Sequence, residues 1–121
     1  MFKVPRNDSK YYWTNHAIRK MAFYGLTPDR MKRVIRNPQR VEDGVAENTI
    51  EVMMPGPNKK KPTEIWVMYQ QKVKSKNEKI KILNSRFIII SAWRYPGISP
   101  IDKQIPIPAD IFEELKNEGV L

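Results

Sequence analysis

The chain is 121 residues long, 40% hydrophobic and 29% charged, with one histidine, no cysteine and a formal net charge of +9. That length supports one domain, residues 1–121, and the residue counts exclude a disulfide framework, a thiolate nucleophile, a zinc–cysteine cluster and a histidine-rich metal centre. No apolar leader opens the sequence and the strongest apolar run, Phe87–Ala92, is far short of a membrane span; the expectation is a cytoplasmic protein with no membrane partner and no cofactor.

Thr14 is placed to cap a helix over Asn15–Tyr24, with Trp13 before it able to pack on Ile18 as a hydrophobic staple. Ile18, Met21 and Ala22 give that helix an apolar stripe, and His16, Arg19 and Lys20 fall on its more polar side. Gly25 suits a left-handed C-terminal cap. Thr27 then caps a second helix whose first position is Pro28; Met31, Val34 and Ile35 continue the stripe until Asn37-Pro38 stops it. Beyond Pro38 the period falls to two. Arg40–Asp43 and Val45–Met54 read as strands about Gly44, and Ile50, Val52 and Met54 oppose Thr49, Glu51 and Met53. A Pro-Gly-Pro turn and three lysines, Lys59, Lys60 and Lys61, make an exposed basic loop before a strand over Glu64–Val73. Lys74–Lys79 is a polar hairpin tip. The return strand runs through Ile80–Leu83 and Arg86–Trp93 with a bulge expected near Asn84-Ser85 and its deepest burial at Phe87–Ile90. A proline-spaced segment, Ser99–Pro108, leads to a helix over Ala109–Glu118 that presents Ile111, Phe112 and Leu115 to the core and ends at Gly119. The expected class is α+β: an N-terminal helical pair packed on a mainly antiparallel, twisted sheet of three to five strands, with a short C-terminal helix.

Charge is distributed in blocks. Residues 1–40 hold 10 basic and two acidic side chains and 59–94 again 10 and two; between them 41–58 hold four acidic and none basic, and 95–121 hold two basic and five acidic. If the fold brings the two basic blocks together, they form one positive face for an anionic polymer. If they face different ways, +9 is a property of a solvated surface.

Thr14-Asn15-His16-Ala17, Arg19, Met21, Gly25-Leu26-Thr27, Asn37-Pro38-Gln39-Arg40 and the later Ile90-Ser91-Ala92-Trp93 stand in an order that resembles a small bacterial domain family of unknown function, family 4258. Its usual form is a histidine-alanine pair, a helix ending in Gly-Leu-Thr or Gly-Ile-Ser, a second helix closed by Asn-Pro, and a hairpin. The resemblance spans about residues 12–95; Gly56–Lys61 and Asn77–Ser85 are expanded, and 96–121 form an added tail. That family is similar in fold to the RelE, ParE and BrnT toxins, a group holding ribonucleases and topoisomerase poisons. The resemblance therefore implies a RelE-like or BrnT-like fold, a toxin-like role with RNA binding or metal-independent ribonuclease activity, and an antitoxin-like protein partner.

The residues must carry the chemistry themselves. Metal-independent RNA cleavage needs a side chain titrating near neutrality and a fixed cation on the phosphate. His16, near a helix N-terminus with Arg19 and Lys20 one turn away, can be that base or a phosphate ligand; equally, it can be a structural histidine hydrogen-bonded to the sheet. Arg86 and Arg94, eight residues apart, share a face if their strand is regular, and Arg94 with Tyr95 can hold a phosphate or stack a base; both arginines can instead guard a sheet edge. Arg33 and Arg36 extend a nucleic-acid track that also takes in Lys59–Lys61. Trp66 and Trp93 are core residues before they are stacking platforms. The alternative to a ribonuclease is a non-catalytic module of the same fold that binds nucleic acid or a protein, a second copy through the C-terminal helix included.

Overall fold

The computed structural model describes residues 2–73, 85–101 and 107–121. In chain order these form β1 (Tyr11–Trp13), α1 (Asn15–Tyr24), α2 (Pro28–Arg36), β2 (Arg40–Asp43), β3 (Ile50–Pro55), β4 (Thr63–Val73), β5 (Ser85–Pro96) and α3 (Ala109–Asn117). The class is α+β, a five-stranded mixed sheet flanked by helices. The expected tip at 74–79 and strand at 80–83 lie outside the described residues.

Local chemistry sets the helical pair. Thr14 Oγ1 accepts from the Ala17 amide at 3.1 Å and Thr27 Oγ1 from the Arg30 amide at 3.1 Å, each relieving one unpaired donor of a first turn. Between them Gly25 sits at φ +67°, where a side chain would be strained, and Pro28 occupies the first turn of α2.

The sheet order is β1-β5-β4-β3-β2. All neighbours are antiparallel except β1 and β5, which pair in parallel from Tyr11 opposite Phe87 to Trp13 opposite Ile89. Trp13 is thus a buried strand residue, stacked on Tyr11, in a strand too short to show a period of its own. β1 covers only the first half of β5. The Thr14 amide then donates to the Ile89 carbonyl, the chain turns, and α1 packs along β5. The β2–β3 connection corrects the expected strand at Val45–Met54: residues 45–49 form a loop with Asn48 at φ +59°, and pairing starts at Ile50.

One irregularity decides where side chains point. β4 and β5 slip by one residue between Met68, opposite Ser91, and Tyr69, opposite Ile89, so Ile90 is an inserted bulge residue. This bulge lies at 90; the one expected near Asn84-Ser85 falls at the edge of the described residues, Asn84 itself lying outside them. The bulge at 90 inverts the alternation, so Arg94 shares the helical face with Ala92 and Ile89 whereas Arg86 falls on the other face. Deepest burial shifts with it, from the expected Phe87–Ile90 to Ile89–Trp93; Phe87 and Ile88 are only half-buried.

Each sheet face has its own core. On one, Met21, Leu26, Met31 and Val34 from the helical pair cover Val52, Ile65, Val67 and Ile89. On the other, Ile111 and Leu115 of α3 cover Met53, Met68 and the stacked indoles of Trp66 and Trp93, 6.3 Å apart at 12°. Phe112, expected inward, stays 41% exposed, because residues 111 and 115 lie on one helical face and 112 lies about 100° away from 111. The segment after β5 is tied down by Ser99, whose hydroxyl donates to Glu64 Oε1 at 2.6 Å and accepts from Arg40 Nη1 at 2.7 Å, with the Arg40 guanidinium over the Trp66 ring.

Candidate nucleic-acid interface

His16 and the basic residues of α1 face α3. His16 Nε2 lies 2.8 Å from Ser91 Oγ on β5, and Nδ1 lies 3.0 Å from Glu114 Oε2. Burial, at 3% exposure, is the chief force holding the imidazole below its usual pKa; Glu118 and Glu114 oppose it, and Lys20 and Arg19 add to it. The neutral ring sits best with its proton on Nδ1, toward the carboxylate, and the Ser91 hydroxyl donating to Nε2. The approach to Glu114 is close but off the N–H axis, so neither Nδ1 nor Oε2 gains a hydrogen bond from it. Lys20 Nζ donates to Asp110 Oδ2 at 2.6 Å and Glu114 Oε1 at 3.0 Å; burial lowers the ammonium's pKa, but these two partners outweigh it and the net displacement is upward. Arg19 Nη2 donates to Glu118 Oε1 at 2.9 Å.

Ser91, His16 and Glu114 stand in the order of nucleophile, base and orienting acid. Ser91 is fully buried, however, and no substrate carbonyl or phosphate reaches its hydroxyl in this arrangement. The cluster is a polar pin that fixes α1 to the sheet and to α3. The edge of the His16 ring, with Thr14 and Asn15, lines a 490 Å³ cleft walled by Ile88, Ile90, Leu115 and Val120, but the ring is 3% exposed and both its nitrogens are turned to Ser91 and Glu114.

The three residues expected to share catalysis are kept apart. Arg86 sits at the far end of β5, opposite Lys72, donating to the Asp8 carbonyl at 3.2 Å and lying over the Tyr12 ring. Arg94 is eight residues on, about 25 Å along the strand, on the other sheet face. Its Nε donates to the Tyr24 carbonyl at 2.7 Å, which places a cation on the C-terminus of α1, whereas His16 is near that helix's N-terminus. Tyr95, next to Arg94 in an extended strand, turns to the α3 side and packs on that core.

A different set converges. Arg30 and Arg33 of α2, with Arg94, line a 300 Å³ cleft with Gly25, Thr27 and Asp29, beside the N-terminus of α2. Arg36 is exposed but lies outside that cleft. The β3–β4 loop carrying Lys59, Lys60 and Lys61 opens at the same end of the sheet, since Pro55 pairs with Glu64 and Glu64 with Tyr95. Asn58 Oδ1 accepts from the Lys60 and Lys61 amides at 3.0 and 3.2 Å, leaving the three side chains exposed. Among the described residues, the salt bridges take up His16, Arg19, Lys20 and Arg40, and none engages Arg30, Arg33, Arg94 or Lys59–Lys61. Of the expected nucleic-acid residues, then, Arg33 and Lys59–Lys61 lie at one end, now with Arg30 and Arg94; Arg36, at the C-terminal end of α2, lies near Tyr11 instead, and Arg19 and Lys20 are paired elsewhere.

Sequence reasoning passed over Arg30, Ser91 and the acids of α3. Asp110, Glu114 and Glu118 recur every four residues, a spacing that puts them on one helical face, and His16 and Lys20 share that spacing on α1. The complementarity of the two stripes was readable; their contact was not.

No family model matches the chain, and no curated protein or solved structure matches it either. The class its own geometry defines is a small basic α+β protein in which, among the described residues, the cations of α1 are paired with α3 and those at the α2 N-terminus line an open cleft.

Proposed function

We propose that the chain is a small toxin-like protein that binds RNA without cutting it, using the sheet end formed by Arg30, Arg33, Arg94 and the Lys59–Lys61 loop. The carrying observation is the convergence of three arginines from two elements on one open cleft, free of salt bridges among the described residues. Guanidinium forks suit phosphate oxygens, and the α2 N-terminus adds partial positive charge beside them. The helical pair followed by a sheet has the element order that the resemblance to family 4258 implies, which supports the toxin-like part of the reading. Its non-catalytic part is supported by the burial of His16 and its separation from both Arg86 and Arg94.

A fluorescein-labelled oligouridylate tests both parts. Substituting Arg30→Gln with Arg33→Gln should weaken binding about tenfold at low salt and reduce the slope of log K against log salt by about 1.4, near 0.7 for each lost phosphate contact. RNA should be recovered intact. Affinity and slope unchanged in the double variant would remove this surface from the function, and cleavage abolished by His16→Ala would replace the binding module with a ribonuclease.

A further inference from the structure

The contact between α1 and α3 places a row of anions on a row of cations. Along α1 stand His16, Arg19 and Lys20; along α3 stand Asp110 and Glu114, with Glu118 at its C-cap, about one per turn and about 6 Å apart along the axis. Every basic member has an acidic neighbour. Lys20 meets Asp110 and Glu114 at 2.6 and 3.0 Å, Arg19 meets Glu118 at 2.9 Å, and His16 meets Glu114 at 3.0 Å. Three acids of residues 95–121 are thus set against His16, Arg19 and Lys20, which removes those members of the first basic block from the open surface that Arg30 and Arg33 share with Arg94.

The hold is modest. α3 has nine residues and no side-chain hydrogen bond at its N-cap, so it has little helical stability of its own. Two of its side chains, Ile111 and Leu115, are fully buried. The carboxylates of Asp110, Glu114 and Glu118 are all more than one-third exposed, so salt screens these pairs. Beneath α3 lie three cationic or protonatable groups of α1 and the paired indoles of Trp66 and Trp93, a combination that suits the phosphates and bases of single-stranded RNA.

We propose that α3 is an intramolecular competitor: its acidic stripe occupies a second RNA-binding surface on α1, formed by His16, Arg19 and Lys20, which RNA takes when α3 is displaced. This rests on the RNA-binding reading above and adds its regulation. RNA at the Arg94 end and RNA under α3 are separate sites, so the protein has a basal affinity set by the first and a latent increment set by the second.

The experiment compares oligouridylate binding by the wild type with that of Asp110→Asn/Glu114→Gln/Glu118→Gln, which keeps the size and apolar anchors of α3 while removing its charge. Because this change raises net charge by three, the reference is Asp43→Asn/Glu47→Gln/Glu113→Gln, an equal change at exposed acids outside the contact. The stripe variant should bind at least tenfold tighter than that reference, with a salt slope steeper by about 1.4 for the two released permanent cations, and adding Arg19→Gln and Lys20→Gln should cancel the gain. Equal affinity of the two triple variants, or a gain that survives loss of Arg19 and Lys20, would overturn the proposal. Should the stripe variant fail to fold by circular dichroism, Asp110→Asn/Glu118→Gln against Asp43→Asn/Glu47→Gln decides, with a gain of at least threefold supporting and none opposing. If the wild type binds through Arg30 and Arg33 and neutralising α3 adds nothing, only this inference fails; if Arg30→Gln/Arg33→Gln changes nothing but the stripe variant gains, only the first surface fails.

Discussion

Replacing Glu51 with glutamine should stabilise the protein at pH 8 and leave it nearly unchanged at pH 4.5. Glu51 is 1% exposed on β3, on the α3 face of the sheet. One of its oxygens accepts from the Val45 amide at 2.8 Å and the other has no partner. Burial pushes the carboxyl from about 4.5 up to about 7; the Val45 amide opposes that rise, and Glu42, its neighbour across the β2–β3 pair, adds to it. The sign follows from the proton. A carboxyl that holds its proton more tightly when folded contributes stability that is whole below the unfolded pKa and is lost as pH rises through 7. A displacement of this size corresponds to roughly 3 kcal/mol, an upper bound for the loss above neutrality. Urea unfolding at the two pH values measures it: the variant should gain up to that amount at pH 8, and equal stability of variant and wild type there would mean that Glu51 ionises in the fold without cost.

Leu115→Asp should cost about 4 kcal/mol, the combined effect of deleting a fully buried leucine and placing a carboxylate where it stood. Phe112→Asp, three residues earlier on the exposed side, should cost less than about 0.5 kcal/mol. Tryptophan emission should move to longer wavelength in the first variant only, since Leu115 shares its core with Trp66 and Trp93. Similar losses in both variants would contradict the α3 orientation on which the covered surface depends.

What was legible in the sequence was what a few neighbouring residues decide. Thr14, Gly25, Thr27, Pro28 and Asn37 bounded the two helices correctly because caps and left-handed turns are local chemistry. Alternation gave β2, β4 and the faces of β3, since Ile50, Val52 and Met54 do oppose Glu51 and Met53. β1 was missed because three residues show no period and its parallel partner lies over 70 positions away. The bulge at Ile90 was hidden in a run of consecutive isoleucines, where an inserted residue changes no pattern, yet it separates Arg86 from Arg94. The site depended on the same kind of distant fact. Sequence placed His16, Arg19 and Lys20 on the polar side of α1; it could not show that α3, about 90 residues on, turns that side inward, or that Arg30 and Arg33 share an open cleft with Arg94.

Among the described residues, Arg19 and Lys20 are paired with α3, whereas Arg30, Arg33 and Arg94 line a cleft open at the end of the sheet. Amide chemical-shift mapping of the folded protein titrated with an oligouridylate at low salt tests RNA binding at that cleft directly. The expected shifts cluster at Gly25–Arg33, Lys59–Lys61 and Arg94, and fade with added salt. Shifts centred instead on Arg86 and Tyr12, or on His16 with none at Arg30, Arg33 and Arg94, would contradict it.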